Sequence, residues 1–208
     1  MPIMLESYKK LTNSIVGFVN NQRKPGKRTQ NAIVPRSARA AFVEALGWAF
    51  AQNLTLDLFS EASCRLKNGK MLSTIEGTCF SQLNEETIGI FSLSGSKSIE
   101  SKQPPRHLEW HQAIFRNSSY DAVLYCHPAA ALAAARKRLL PDTDYLKDTK
   151  AFLGEAVIVE PDPQMIGESI ESYPVLLVPG YGLITAGDDL SQAVTRAAIF
   201  ARLCETLQ

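Results

Sequence analysis

The segment Asp121-Ala-Val-Leu-Tyr-Cys-His-Pro128 constrains this chain more than any other. Its apolar stretch, Ala122 to Cys126, is too short for a helix and reads as a buried strand. His127-Pro128 leads directly from it into the alanine-rich Ala129 to Arg138, which reads as a helix. A strand that turns at once into a helix belongs to a layered α/β domain. A histidine at the carboxyl end of such a strand stands where sites are often built.

The flanking sequence continues the alternation. Ser37 is an N-cap candidate for a helix whose Ala38, Ala41, Phe42, Ala45, Leu46, Ala49 and Phe50 form one wide apolar face. Ala62 to Leu66, Lys70 to Ile75 and Thr87 to Leu93 change to a strand-like pattern, and Asn68-Gly69 between the first two is a hairpin signal. From Pro104 a helix opened by prolines places Leu108, His111, Ile114 and Phe115 on one face and ends near Arg116 to Ser119. Val157 to Val159, Val175 to Pro179 and Leu183 to Thr185 are further short strands. Asp188 or Asp189 caps a last helix striped by Leu190, Ala193, Ala197, Phe200, Ala201 and Leu203. The expectation is one α/β domain with a central sheet, over residues 36–208.

Ahead of it, Leu5, Tyr8, Leu11, Ile15, Phe18 and Val19 recur at steps of three and four, an amphipathic helix. Arg23, Lys24, Lys27 and Arg28 around Pro25-Gly26 make a short basic linker, read as solvated loop, so residues 1–35 are expected to form a helix and linker outside the domain. Over the 208 residues, 22 Lys+Arg balance 21 Asp+Glu to a net charge of +1, which supplies no field to hold nucleic acid or an anionic membrane. No apolar run approaches the roughly 20 residues needed to cross a bilayer, and Glu6, Lys9 and Lys10 stand where a signal peptide would be apolar. The expected setting is the cytoplasm, without nucleic-acid or membrane partners. Cys64, Cys79, Cys126 and Cys204 have no CxxC spacing and read as reduced thiols.

Three segments, Asp121 to Pro128, Val175-Leu-Leu-Val-Pro-Gly-Tyr-Gly-Leu-Ile-Thr-Ala-Gly187 and Asp188 to Thr206, together resemble the class II aldolase/adducin family in order and spacing. That family shows a strand ending in His-x-His-Pro, a later apolar strand with Asn-His-Gly, and a closing helix. Upstream, Lys102 to Phe115 resembles its Pro-Ser-Ser-Glu segment and the helix bearing a histidine, here His111. Gly69 to Ser94 resembles its Thr-Gly turn and following strand. The resemblance implies a three-layer fold, a mostly antiparallel sheet flanked by helices, commonly a tetramer with the site between subunits. It also implies a zinc held by three histidines, a glutamate acid/base, and a sugar phosphate cradled by Gly-Asn, Thr-Gly and Ser-Ser.

Carried across, the two histidines of His-x-His fall on Tyr125 and His127, and that of Asn-His-Gly on Tyr181. The glutamate falls on His107, Ser-Ser on Pro105 and Arg106, Gly-Asn on Ser60 and Glu61, and Thr-Gly on Glu76 and Gly77. Glu61 and Glu76 would repel a phosphate. The expectation is a divergent member that keeps the fold and has lost the usual zinc and sugar-phosphate residues, a non-catalytic homotetrameric scaffold or small-molecule binding protein. The alternative is a lyase whose rebuilt site acts on a carbonyl or acid substrate without phosphate. In that site His107, His127 and Tyr181 are the catalytic candidates, and Glu61, Glu76, Gly77, Arg106 and Tyr125 the substrate contacts. His127 with His107 can still hold a divalent ion such as zinc. The opposing reading makes His127 a helix cap, turns His107 to solvent or a subunit contact, and has the two tyrosines fill the metal's space. His111 shares a face with His107 and is assigned to an interface or core, Glu109 to the surface, and Arg106 to an internal ion pair.

Overall fold

The strand Ala122–Cys126 is buried along its whole length, and its side chains divide by alternation. Ala122, Leu124 and Cys126 enter one apolar cluster, Val123 and Tyr125 another. A central strand that is apolar on both faces needs a helical layer on each side. The computed structural model describes residues 36–207 apart from 57, 68, 96–98 and 100. The expected helix Leu5 to Val19 and the basic linker lie outside the described residues.

Among those residues the strands are β1 (Glu61–Leu66), β2 (Lys70–Thr74), β3 (Ile88–Ser92), β4 (Ala122–Cys126), β5 (Ala156–Ile158), β6 (Val175–Val178) and β7 (Gly182–Gly187). They form one sheet in the order β3-β2-β1-β4-β7-β6-β5. Every neighbouring pair is antiparallel except β5 with β6. The helices are α1 (Arg36–Ala51), α2 (Leu108–Asn117), α3 (Ala129–Lys137), α4 (Lys147–Leu153), α5 (Pro163–Ile170) and α6 (Leu190–Glu205). One face of the sheet is covered by α1, α3 and α6 with Leu153 of α4, the other by α2 and α5. This is the three-layer, mostly antiparallel arrangement expected from the sequence. Fully buried side chains such as Leu46, Phe200 and Ile166 each stabilise it by about 1.5–3 kcal/mol.

Two devices set α2, which carries the site, against the sheet. Arg65 of β1 donates to the carbonyls of Phe115 (2.7 Å), Ser118 (2.9 Å) and Tyr120 (2.9 Å) and pairs with Asp121 at 3.1 Å. It thereby ties the end of α2 to the start of β4. On the outer side, Gly167 lets α5 approach closely: a Cβ there would lie 2.6 Å from Asn117 Nδ2 and 3.0 Å from the Ala113 carbonyl.

Some expected boundaries shift. Ser37 lies inside α1, which is helical from the first described residue, Arg36, and does not cap it. α2 begins at Leu108 with His107 at the N-cap, leaving Pro104 and Pro105 outside the helix they were expected to open. Cys79 precedes a short 3-10 turn, Phe80–Gln82. Between the two aspartates, it is Asp189 that caps α6, its carboxylate accepting from Gln192 N at 2.7 Å. Among the described residues no helix is long and apolar enough to cross a membrane.

Candidate functional site

Glu61 opens β1 directly opposite Tyr125 of β4. The two side chains share one face of the sheet, where α2 lies. Tyr125 is in the cluster that α2 covers, and Glu61 reaches its first turn. The Glu61 carboxylate accepts from the His107 backbone N–H at 3.2 Å and from His107 Nδ1 at 3.2 Å. It also accepts from His111 Nε2 at 3.3 Å, and His111 Nδ1 meets Ser63 Oγ at 2.7 Å. Glu61 is only 5% exposed. Burial alone would raise its pKa, but the hydrogen bonds and charge of His107 and His111 prevail and hold the carboxyl down to about 2.

Above this buried base opens a cavity of about 230 Å³ lined by Leu56, Phe59, Arg106, His107, Tyr125, His127, Gly180 and Tyr181. His107 is packed among aromatic rings, 4.3 Å from Trp110, 4.9 Å from Tyr125 and 6.0 Å from Tyr181 between centroids. His127 lies 4.7 Å from the Tyr125 ring, its Nδ1 3.1 Å from Ser60 Oγ and its backbone N–H bonded to the Leu54 carbonyl. Burial, followed by the neighbouring His107, pushes His127 down to about 4 against a partial opposing pull from Glu61. It is therefore a neutral imidazole near pH 7. Burial, then the charge of Glu61, pushes the Tyr125 hydroxyl up, so it stays protonated as a hydrogen-bond donor.

The structure thus brings His107, His127, Tyr181, Arg106 and Tyr125 to one cavity. Glu61 is not among the cavity-lining residues; its carboxylate is bonded to two imidazoles and a backbone N–H. Glu76, half-exposed, pairs with Arg106 at 3.5 Å, the ion pair expected for Arg106, and Phe59 stacks under the same guanidinium at 5.5 Å. Gly77 serves a turn at φ 72° and is not part of the cavity wall. His127 does not cap α3, which has Pro128 at its N-cap and no side-chain cap. His107 faces Glu61 and the cavity instead of solvent. Glu109 is exposed as expected, and Cys126, its thiol pushed up by burial, points into the opposite cluster. Sequence reasoning missed Ser63 and Trp110, and placed Ser60 only at a phosphate turn instead of beside His127. The signal for Ser63 was its place two residues after Glu61 in a strand, which puts both on one face.

The donor set does not fit the three-histidine zinc that the resemblance implies. Two of the three positions are tyrosines, and Tyr125 is held in its protonated form. Among the described residues no group of three or more His, Cys, Asp or Glu is placed to hold an ion. The expected divalent ion at His127 and His107 would have two imidazoles, each already bonded through Nδ1, and no third ligand of those types.

Gly182 closes the site from β7. A Cβ there would lie 2.5 Å from the Cys126 carbonyl oxygen, 3.1 Å from His127 Cδ2 and 3.2 Å from Tyr125 Cε2. Since the first of these is backbone in a paired strand, Gly182→Ala is expected to cost about 1–3 kcal/mol, measured by urea unfolding.

The model of the class II aldolase and adducin N-terminal domain matches residues 40–207. The chain belongs to this family. A relative from Pectobacterium atrosepticum named 3-oxo-tetronate 4-phosphate decarboxylase is 24% identical over 168 residues, 75% of this chain and 77% of its own length. Among solved structures, YgbL from Klebsiella pneumoniae superposes with a TM-score of 0.73 at 18% identity, covering 85% of this chain and 90% of that one. The l-fuculose-1-phosphate aldolase from Thermus thermophilus superposes with a TM-score of 0.71 at 21% identity, covering 82% and 95%. At these identities the superpositions show a shared fold.

Proposed function

We propose that this family member is a carbon-carbon lyase that acts on a small hydroxy- or keto-acid, with His107 as the proton-transfer group. The observation that carries the reading is the pairing of His107 Nδ1 with the buried, ionised Glu61. It turns the other ring nitrogen, Nε2, into the free base at the cavity wall. In a retro-aldol cleavage Nε2 takes the proton of the substrate hydroxyl, the carbon-carbon bond breaks, and its electron pair moves to the carbonyl as an enolate. Hydroxyls of Tyr125 and Tyr181 are the donors available to that oxygen, and the proton held on His107 returns to carbon. Arg106, on the rim, releases Glu76 to hold the substrate's carboxylate. The name of the Pectobacterium relative, a decarboxylase, supports the same class of bond cleavage.

The test is a panel of small hydroxy- and keto-acids, with elemental analysis of the purified protein alongside. Turnover is expected to persist after chelation, without an equivalent of bound metal, and His107→Asn is expected to lower kcat by about 10²–10⁴. Turnover that vanishes with a chelator and returns with zinc would overturn the metal-free reading. A second reading, a protein that binds such ligands without converting them, is favoured by the two tyrosines at ligand positions. It would show as binding with no turnover and no effect of His107→Asn beyond affinity. The same proposal takes the chain as a cytoplasmic homotetramer, with residues 1–35 as a segment ahead of the domain. A monomer in light scattering would count against the assembly.

A further inference from the structure

His107 is not held by Glu61 alone. Ser63 Oγ, His111 Nδ1 and Nε2, the two Glu61 oxygens and His107 Nδ1 form one continuous chain of contacts at 2.7, 3.3 and 3.2 Å, reaching from inside the sheet to the cavity wall. Its inner members are sealed, Ser63 at 0% and His111 at 1% exposed. Neither touches the cavity. An ionised carboxylate can only accept, so each nitrogen facing Glu61 has to be a donor. His111 is then Nε2–H, and in its neutral form it has its lone pair on Nδ1, the atom to which Ser63 donates. His107 is Nδ1–H, with its lone pair on Nε2. One buried negative charge therefore dictates opposite tautomers in two histidines four residues apart, one at the N-cap of α2 and one within it.

We infer that Ser63 and His111 are positioning residues, which orient the Glu61 carboxylate and through it hold His107 as the Nδ1–H tautomer with Nε2 open to the cavity. Without His111, one carboxylate oxygen keeps only the His107 backbone N–H, and the Glu61 headgroup is aimed less firmly at the His107 ring. Without Ser63, His111 Nδ1 loses its hydrogen-bond partner, and the ring that donates to Glu61 is no longer fixed from behind. The inference takes its functional meaning from the reading of His107 as the proton-transfer group, yet its geometry is testable with no substrate at all.

The chain has three histidines, so long-range ¹⁵N–¹H spectra of the labelled full-length protein resolve each ring, assigned by single substitution. The expected wild-type result at neutral pH is a pure Nδ1–H pattern for His107 and a pure Nε2–H pattern for His111. In His111→Phe the His107 signals are expected to move to the averaged positions of a tautomer mixture, and in His111→Gln, which keeps a donor toward Glu61, to return. In Ser63→Ala, His111 is expected to keep the Nε2–H pattern that Glu61 dictates, while its Nδ1 resonance shifts with loss of the Ser63 hydrogen bond and the His107 signals move part of the way toward the averaged positions; this milder variant carries the test if His111→Phe fails to fold. A pure Nδ1–H His107 in folded His111→Phe would overturn the role of His111, and unmoved His107 signals in Ser63→Ala that of Ser63. A wild-type His107 in the Nε2–H form would overturn the whole arrangement. Absence of turnover would sink the lyase reading and leave these spectra as they are, so the two failures are distinguishable.

Discussion

Glu61→Leu is expected to destabilise the protein by about 3–5 kcal/mol, the cost of removing one partner from a buried ionic cluster. The carboxylate is 5% exposed and takes hydrogen bonds from two imidazoles and a backbone N–H. Leucine fills a similar volume but leaves all three donors facing an apolar side chain. Glu61→Gln keeps an acceptor oxygen and should cost less. The folded carboxyl is held at about 2 against an ordinary value of 4.5. Its contribution is therefore complete above pH 4.5 and is lost as the pH falls toward 2, an amount of about 3 kcal/mol. Urea midpoints for wild type and Glu61→Leu, first at neutral pH and then down a pH series, would show a large gap that narrows in acid. A gap below about 1 kcal/mol at neutral pH would mean that the cluster is exchangeable for apolar packing, as some buried ion pairs are.

The second large effect belongs to His127 and acts at higher pH. Its imidazole has an ordinary value of 6.5 unfolded and about 4 folded, because burial and the nearby His107 disfavour the charged ring. Between those values the unfolded chain binds the extra proton, so folding stability rises with pH through the window. The wild type should lose about 3 kcal/mol as the pH falls from 6.5 to 4, before the Glu61 loss is complete. His127→Asn, which removes the titrating ring and keeps a polar group near Ser60, should flatten that segment of the profile. A wild-type urea midpoint that stays level across the window would show that His127 is charged in the folded protein, and would remove it from the set of neutral cavity groups.

The elements that could be read from the sequence are those whose signal is local. Ala122 to Cys126 followed by His127-Pro128, the pairing of β1 with β2 across Gly69, and the aspartate before α6 each lie within a few residues of one another. The helix α5 was also locally marked, by Asp162 as cap and Pro163 in the first turn. It was overlooked because it spans only Pro163–Ile170, little more than two turns of apolar period. At the site, the resemblance to the family brought His107, Arg106, Tyr125, His127 and Tyr181 to consideration, and they meet in one cavity. Glu61 was read only by its charge against a phosphate, while its hydrogen-bond partners stand 46 and 50 residues away.

That separation marks the boundary between the two kinds of information. Sequence alone determined that His107 and His111 share one helical face, that Ala62 to Leu66 is a strand with Glu61 just ahead of it, and that Ala122 to Cys126 is a buried strand. Each of these follows from a repeat fixed by backbone geometry. Only the tertiary structure decided that Glu61 and that helical face are pressed together, with Arg65 fastening the end of α2 and Gly167 admitting α5 behind it. Whether a buried carboxylate meets a donor, and so stays charged, depends on which surfaces exclude water together. Local periodicity carries no information about that.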